Sequence, residues 1–125
     1  MTHATSIICA GALFLCGSGA AAAAGNATHG QQLYQQTCVA CHSTDYNGVG
    51  PAHKGVFNRK AGSAADYAYA PAVKASTIVW NEKTLDQWLS NPEKLIPGQK
   101  MGIKVASAKD RADLIAYLKT LNEQK

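Results

Sequence analysis

The chain has 125 residues, of which 12 are Lys or Arg and 8 are Asp or Glu, so its formal net charge is +4. A chain of this length forms one domain with a small core, which a tightly bound cofactor would help to stabilise. The positive charges are dispersed, without a basic run or an aromatic platform, and this pattern excludes a typical nucleic-acid-binding protein. The surplus charge favours a weakly acidic protein partner, or is only a solvated surface.

The first 24 residues have the pattern of a secretory signal peptide. An apolar stretch over residues 7–15 is followed by small residues, and Ala22 and Ala24 form an Ala-x-Ala site for cleavage after Ala24, with cleavage after Ala27 as the alternative. No Lys or Arg precedes the apolar stretch, which leaves an uncleaved anchor open, but glycines interrupt the stretch before it reaches the roughly 18 residues that a spanning helix needs. We therefore expect a periplasmic domain of residues 25–125 without stable membrane insertion.

The first predicted helix runs from Thr28 to Cys41 and ends in the motif Cys38-Val39-Ala40-Cys41-His42. Cysteines at positions i and i+3 of a helix can both reach the two vinyl groups on one edge of a porphyrin. The histidine that follows lies beside the same face and can bind the iron. The motif therefore predicts one covalently bound haem c, attached through Cys38 and Cys41 and ligated by His42.

Two other kinds of site use the same cysteine spacing. A thioredoxin-like redox pair follows a β-strand in a βαβ unit, whereas residues 31–37 are polar and compatible with a helix. A zinc site needs two further ligands, and the spacing of His29 and His53 fits no common zinc finger. Haem attachment is therefore the leading hypothesis, with a zinc site and a redox disulfide as alternatives.

The remainder of the chain predicts an all-α fold, because no segment alternates polar and apolar residues as a strand does. A short helical turn is expected over Pro71 to Ala75, and a longer helix is expected after the N-cap Asn81 and before Pro92. The last helix begins at Ser107, with Asp110 as its capping-box partner. Its apolar positions share one face: Leu114, Tyr117, Leu118 and Leu121.

A long loop over residues 92–106 contains Met101, the only methionine after the initiator. A thioether opposite an imidazole favours ferrous iron, and two filled axial positions leave no place for a substrate. We therefore predict a one-electron carrier, not an enzyme, in which His42 and Met101 are the axial ligands. His53 is the rival second ligand, and a labile bond to Met101 would instead give a haem enzyme or a gas-binding protein.

Taken together, these residues resemble the class I cytochromes c, in particular the mitochondrial and bacterial c2-like branch. The resemblance covers nearly the whole chain after the signal peptide and rests, besides the cysteine motif, on Gly50-Pro51, Gly55-Val56-Phe57-Asn58-Arg59-Lys60-Ala61-Gly62, Ile78-Val79-Trp80, Asn91-Pro92, Pro97-Gly98-Gln99-Lys100-Met101 and Asp113-Leu114-Ile115-Ala116-Tyr117-Leu118-Lys119. It implies that the N- and C-terminal helices cross, and that short helices and long loops wrap around one haem. It also implies a monomer that exchanges electrons with larger redox protein complexes.

The resemblance implies roles for particular residues. The carbonyl of Pro51 is expected to accept the His42 proton that does not face the iron. Arg59, Tyr69 and Trp80 match the residues that hold the haem propionates in this family. Where the terminal helices cross, Gly30 and Tyr34 are expected to pack against Leu114 and Tyr117.

Several positions depart from the family's usual pattern. Val73, Trp88 and Gln99 stand where the mitochondrial proteins have an Asn, a Tyr and a Thr that form a polar network near the methionine, and we expect Gln99 to lie at the cofactor. His53 replaces the usual haem-contacting leucine. The reduction potential therefore cannot be taken over from the family.

Overall fold

The computed structural model describes residues 24–123, so the predicted signal peptide lies outside the described residues except for Ala24. The described part of the chain contains five helices: α1 (Ala27–Thr37), α2 (Pro71–Lys74), α3 (Glu82–Ser90), α4 (Pro92–Leu95) and α5 (Ala108–Thr120). An isolated antiparallel bridge joins Lys60 to Val79, and no strand occurs between residues 24 and 123. The predicted all-α class is confirmed. None of the described helices has the length and apolar character needed to cross a membrane.

Helix α1 is shorter than the sequence predicts, because it ends at Thr37 and not at Cys41. Cys38 is its C-cap and donates its backbone N–H to the carbonyl of Tyr34 over 2.9 Å. The backbone N–H groups of Cys41 and His42 then both donate to the carbonyl of Cys38, over 3.1 and 2.9 Å. The motif thus forms a tight turn that keeps the i to i+3 and i to i+4 bonding of a helix, so both cysteines remain on one side.

The other predicted helix starts are found where the capping residues place them. Asn81 accepts from the backbone N–H of Thr84 over 3.0 Å and donates its own backbone N–H to the Thr84 hydroxyl over 2.9 Å. Ser107 accepts from the backbone N–H of Asp110 over 3.1 Å. Each cap of this kind contributes about 1 kcal/mol. Pro92 not only follows the end of α3 but also begins α4, a separate turn that the sequence analysis missed.

The terminal helices cross at Gly30, as the resemblance implied. A Cβ atom at this position would lie 1.9 Å from the carbonyl oxygen of Asp113 and 3.0 Å from Cβ of Tyr117, so only glycine allows this approach. One turn further on, the rings of Tyr34 and Tyr117 are 5.1 Å apart, and Tyr34 and Leu114 are almost fully buried. The crossing therefore fixes the end of α1, from which the cysteine motif leaves.

A carboxylate anchors the polar edge of this crossing. Asp113 accepts from the backbone N–H of Asn26 over 2.6 Å, from Nζ of Lys109 over 2.6 Å, and is hydrogen-bonded to Nδ1 of His29 at 2.7 Å. The backbone N–H of Asn26, together with Lys109 and His29, lowers the pKa of Asp113 well below its usual range. The carboxylate therefore stays ionised and ties the start of α1 to α5.

Candidate functional site

A cavity of about 360 Å³ opens between the end of α1, the loop that follows it, helices α2 and α3, and the loop before α5. Its apolar lining includes core side chains from three helices: Val73, Leu85, Leu89, Leu114 and Leu118. All of the predicted cofactor residues except Gln99 line this single space: Cys38, Cys41, His42, Pro51, Arg59, Tyr69, Trp80 and Met101. Residues separated by up to 63 positions in the chain are thus brought to one site.

Cys38 and Cys41 are free thiols at the mouth of the cavity, the first half-buried and the second exposed. Burial, with a smaller effect of Cys41, raises the pKa of the Cys38 thiol to about 11. A redox-active cysteine needs a lowered pKa, so this environment does not favour a thioredoxin-like pair. Within residues 24–123, no cluster of His, Cys, Asp and Glu side chains compact enough for a metal ion includes either cysteine, which disfavours the zinc alternative.

One nitrogen of the His42 imidazole forms a hydrogen bond within the protein. Its Nδ1 lies 2.8 Å from the carbonyl oxygen of Pro51. Because a carbonyl can only accept, Nδ1 carries the hydrogen, and Nε2 keeps the lone pair that a metal ion needs. Burial lowers the pKa of His42, which favours the neutral ring, although the bond to Pro51 opposes this shift. The bond expected from the resemblance is therefore present and leaves a competent ligand atom.

His53 lies beside His42 and not across the cavity from it. The two ring centroids are 4.0 Å apart and the ring planes differ by 20°, so the rings are stacked face to face. Ligands on opposite sides of one iron would instead point their nitrogen atoms at each other. The geometry thus does not support His53 as the second axial ligand. Its Nδ1 is 2.9 Å from Oη of Tyr34, and desolvation, followed by the nearby His42 and Arg59, lowers its pKa to about 3.

The guanidinium group of Arg59 is only partly satisfied by the protein. Its two terminal nitrogens donate to the carbonyls of Lys54 and Ala52 over 3.1 and 2.9 Å. Its Nε is buried and has no hydrogen-bond partner among the described residues. A buried donor left unpaired costs about 1–3 kcal/mol, so this N–H is suited to an acceptor brought by a bound group. A carboxylate such as a haem propionate has the required charge and lone pairs.

Tyr69 and Trp80 line the same cavity as Arg59. Tyr69 accepts from the backbone N–H of Ala64 over 3.0 Å. Trp80 is buried, and its backbone pairs with Arg59 over 2.9 Å and with Asn58 over 2.7 Å. These backbone bonds tie the segment of Trp80 to that of Arg59, and both side chains line the cavity.

Met101 is half-buried in the loop before α5, and its side chain lines the cavity. Gln99 lies outside the lining. Its amide oxygen accepts from the backbone N–H of Met101, and its amide nitrogen donates to Glu93 over 3.3 Å. Glu93 also accepts from the backbone N–H of Gly98 over 3.0 Å. Gln99 thus holds the backbone of Met101 to α4, a role that the sequence did not predict.

The two other altered positions add apolar side chains to the lining of the cavity. Val73 is buried, and Trp88 packs against Trp80 with ring centroids 5.2 Å apart. The bond between Tyr34 and His53 was not predicted from the sequence, although two polar side chains at otherwise apolar positions were a signal for it. The hydrogen bonds of Glu93 to Gly98 and Gln99 were not predicted either, although an acidic residue just before the Pro97-Gly98 turn was a signal for them. In sum, two thiols, an imidazole, a thioether and an unpaired Arg59 N–H around an apolar space fit a haem.

Comparison with known proteins gives consistent matches. A family model described as "Cytochrome c" matches residues 27–122. A cytochrome c from Euglena viridis is 41% identical over 102 residues, covering 79% of this chain and 100% of that protein. A cytochrome c2 from Rhodomicrobium vannielii is 42% identical over 113 residues, covering 86% and 88%. The solved structure of cytochrome cH from Methylobacterium extorquens superposes with a TM-score of 0.74 at 44% identity, covering 77% of this chain and 99% of that one.

Proposed function

Because the chain belongs to the cytochrome c family, whose members bind haem c covalently, we propose that it is a monohaem one-electron carrier and not an enzyme. Its fold is the class I cytochrome c fold. One observation carries the proposal: the bond between His42 and Pro51 leaves Nε2 of His42 as a free ligand atom in a cavity that also contains Met101 and both thiols.

Each predicted residue has a role in this proposal. Cys38 and Cys41 would hold the haem through two thioether bonds, and His42 and Met101 would bind its iron. Arg59, with its unpaired Nε, and Tyr69 and Trp80 beside it hold the propionates. When bound, the haem supplies an iron that alternates between the ferrous and ferric states. Pro51 and Gln99 act on the ligands, the first by orienting the His42 ring and the second by holding the Met101 backbone.

The surroundings of Met101 support a carrier over the alternative of a haem enzyme or gas-binding protein. An enzyme would need the Met101 position to open for a substrate. The Met101 backbone is instead bonded to Gln99, and Gln99 is bonded to Glu93 at the start of α4. Val73 and Trp88 also add apolar side chains to the lining of the cavity.

We propose that the carrier acts in the periplasm as a monomer, after removal of residues 1–24, and exchanges electrons with larger redox protein complexes. The signal-peptide pattern supports the location, and the dispersed formal charge of +4 supports a weakly acidic docking partner. In this proposal the protein has no nucleic-acid partner and is not stably inserted in a membrane. N-terminal sequencing of the protein purified from periplasmic extract tests the cleavage site, for which we expect Gly25 or Thr28 as the first residue.

Carbon monoxide binding to the reduced protein tests the ligand assignment. We expect the wild-type protein to exclude carbon monoxide at neutral pH, and Met101→Ala to bind it rapidly and to have a lower reduction potential. Lys104→Ala, an exposed change on the same loop, is the matched control and should behave as the wild type. Rapid and complete binding by the wild-type protein would favour the gas-binding or enzyme alternative. Haem that is lost on denaturation would contradict covalent attachment.

A further inference from the structure

His53 covers one face of the His42 ring, although it has no role in covalent attachment or in iron ligation. The ring of His53 lies 4.0 Å from that of His42, with the planes only 20° from parallel. Rings at this separation are in van der Waals contact. His42 therefore cannot tilt toward that side unless His53 moves first.

His53 is itself held by the crossing of the terminal helices. Its Nδ1 lies 2.9 Å from Oη of Tyr34, and the two rings meet edge to face at 5.6 Å. Tyr34 is only 1% exposed, and its ring packs against Tyr117 at 5.1 Å. The ring of Tyr34 is thus held by close packing in the helix crossing, and its hydroxyl holds the His53 ring in place.

The other contacts of His42 act at single ring atoms. The carbonyl of Pro51 fixes Nδ1 at 2.8 Å, and the backbone at Gly50 lies against Cε1 of the same ring. The bond to Pro51 acts at an edge of the imidazole, whereas Gly50 lies over the face of the ring at Cε1. A single hydrogen bond to a carbonyl tolerates a broad range of directions, so it leaves the ring plane free to tilt about that edge. Gly50 limits this tilt at Cε1, and the stack with His53 limits it across the whole ring.

We propose that His53 is a positioning residue that holds the ring plane of His42 in one orientation through its buried hydrogen bond to Tyr34. The inference rests on the proposed function, because the ring plane matters for the haem only if His42 is an axial ligand. Partners that orient a ligand histidine tune the metal that it binds. In ferric low-spin haem, the plane of the axial imidazole governs how unpaired spin is distributed over the porphyrin. The chemical shifts of the haem methyl protons therefore report on the orientation of the ring.

Three variants separate this role from simple filling of space. Tyr34→Phe removes the hydrogen bond and keeps both aromatic rings. His53→Leu fills the space with an apolar side chain but has neither ring nor bond, and His53→Phe keeps a ring without the bond. Tyr117→Phe is the matched control, because it removes a hydroxyl from the ring next to Tyr34 and leaves the contact between Tyr34 and His53 intact.

The experiment is proton NMR of the four ferric haem-loaded variants and the wild type, together with the methionine-to-iron charge-transfer band in the visible spectrum. We expect Tyr34→Phe, His53→Leu and His53→Phe to change the order or the spread of the haem methyl shifts, whereas Tyr117→Phe leaves the wild-type pattern. The charge-transfer band should persist in all of them. Should the histidine variants fail to fold, Tyr34→Phe decides alone, because it deletes one buried oxygen.

Three results would each contradict a different part of the argument. A wild-type methyl pattern in Tyr34→Phe and in both His53 variants, with the charge-transfer band present, would overturn the positioning role and leave the proposed carrier untouched. A wild-type protein without the band would contradict ligation by Met101, and the comparison of methyl shifts would still decide the role of His53. A change confined to His53→Leu would overturn the part assigned to Tyr34, since it would show that ring stacking alone is sufficient.

Discussion

Gly50 and His42 approach each other so closely that no side chain fits between them. A Cβ atom on Gly50 would lie 2.2 Å from Cε1 of the His42 ring, which is shorter than the contacts that Cβ atoms make in proteins. Gly50 also donates its backbone N–H to the carbonyl of Cys41 over 2.8 Å, so its own position is tied to the cysteine motif. The glycine of the Gly50-Pro51 pair and the carbonyl of its proline thus act on the same imidazole.

Replacement of Gly50 by alanine is predicted to displace the His42 ring and to destabilise the haem-loaded protein by about 1–3 kcal/mol, the usual cost of overpacking. Urea unfolding measures this loss. Ala68→Ser is the control, because it adds one heavy atom at an exposed position outside the cavity lining, and it should unfold as the wild type. Equal stability of the two variants would mean that His42 moves aside without cost.

Replacement of Asp113 by asparagine is predicted to reduce the acid sensitivity of the fold. The backbone N–H of Asn26, then Lys109 and His29, keep the pKa of Asp113 well below its usual range. A lowered folded-state pKa stabilises the protein fully above the unfolded-state value, which is about 3.9 for Asp, and this stabilisation is lost as the pH falls below that value.

The wild-type protein should therefore be more stable than Asp113→Asn at neutral pH, and the difference should shrink as the pH falls from about 5 to 3. Urea unfolding at several pH values measures it. Asp66→Asn removes an exposed carboxylate and should leave the pH dependence of the wild type unchanged. A difference between wild type and Asp113→Asn that stays constant over this range would contradict the role of the ionised carboxylate.

Features set by neighbouring residues in the chain were predicted from the sequence, whereas contacts between distant residues were not. Caps and turns depend on neighbours in the chain, so Asn81, Ser107 and Pro71 marked helix starts correctly. The cysteine motif likewise encodes a local geometry that survives even though α1 ends before it. Side-chain hydrogen bonds between residues that are distant in the chain have no such local sequence pattern. The pairing of His53 with Tyr34 and that of Gln99 with Glu93 depend on which side chains the fold brings together.

Removal of the Arg59 charge is predicted to lower the reduction potential. A positive charge at the site disfavours the ferric state, which carries one more positive charge, and the half-buried location limits screening. Arg59→Gln should lower the potential more than Arg59→Lys, which keeps the charge but not the planar fork. Lys60→Gln, an exposed neighbour, is the control and should have little effect, because salt screens exposed charges. Redox titration provides the measurement, and equal potentials for Arg59→Gln and Lys60→Gln would contradict the argument.

Gln99 is predicted to determine how firmly Met101 stays in place. Its amide oxygen accepts from the Met101 backbone and its amide nitrogen donates to Glu93, so Gln99→Ala breaks both links while leaving the thioether itself present. Each lost hydrogen bond of this kind costs about 0.5–1.5 kcal/mol.

We therefore expect reduced Gln99→Ala to bind carbon monoxide faster than the wild type and more slowly than Met101→Ala, in which no thioether competes. Glu93→Ala, which keeps the bond between Gln99 and Met101 but removes the anchor on α4, should fall between the wild type and Gln99→Ala. Stopped-flow mixing with carbon monoxide at neutral pH ranks the four proteins. If Gln99→Ala excludes carbon monoxide as completely as the wild type, Met101 is held by its surroundings in the cavity, and the backbone link through Gln99 is dispensable.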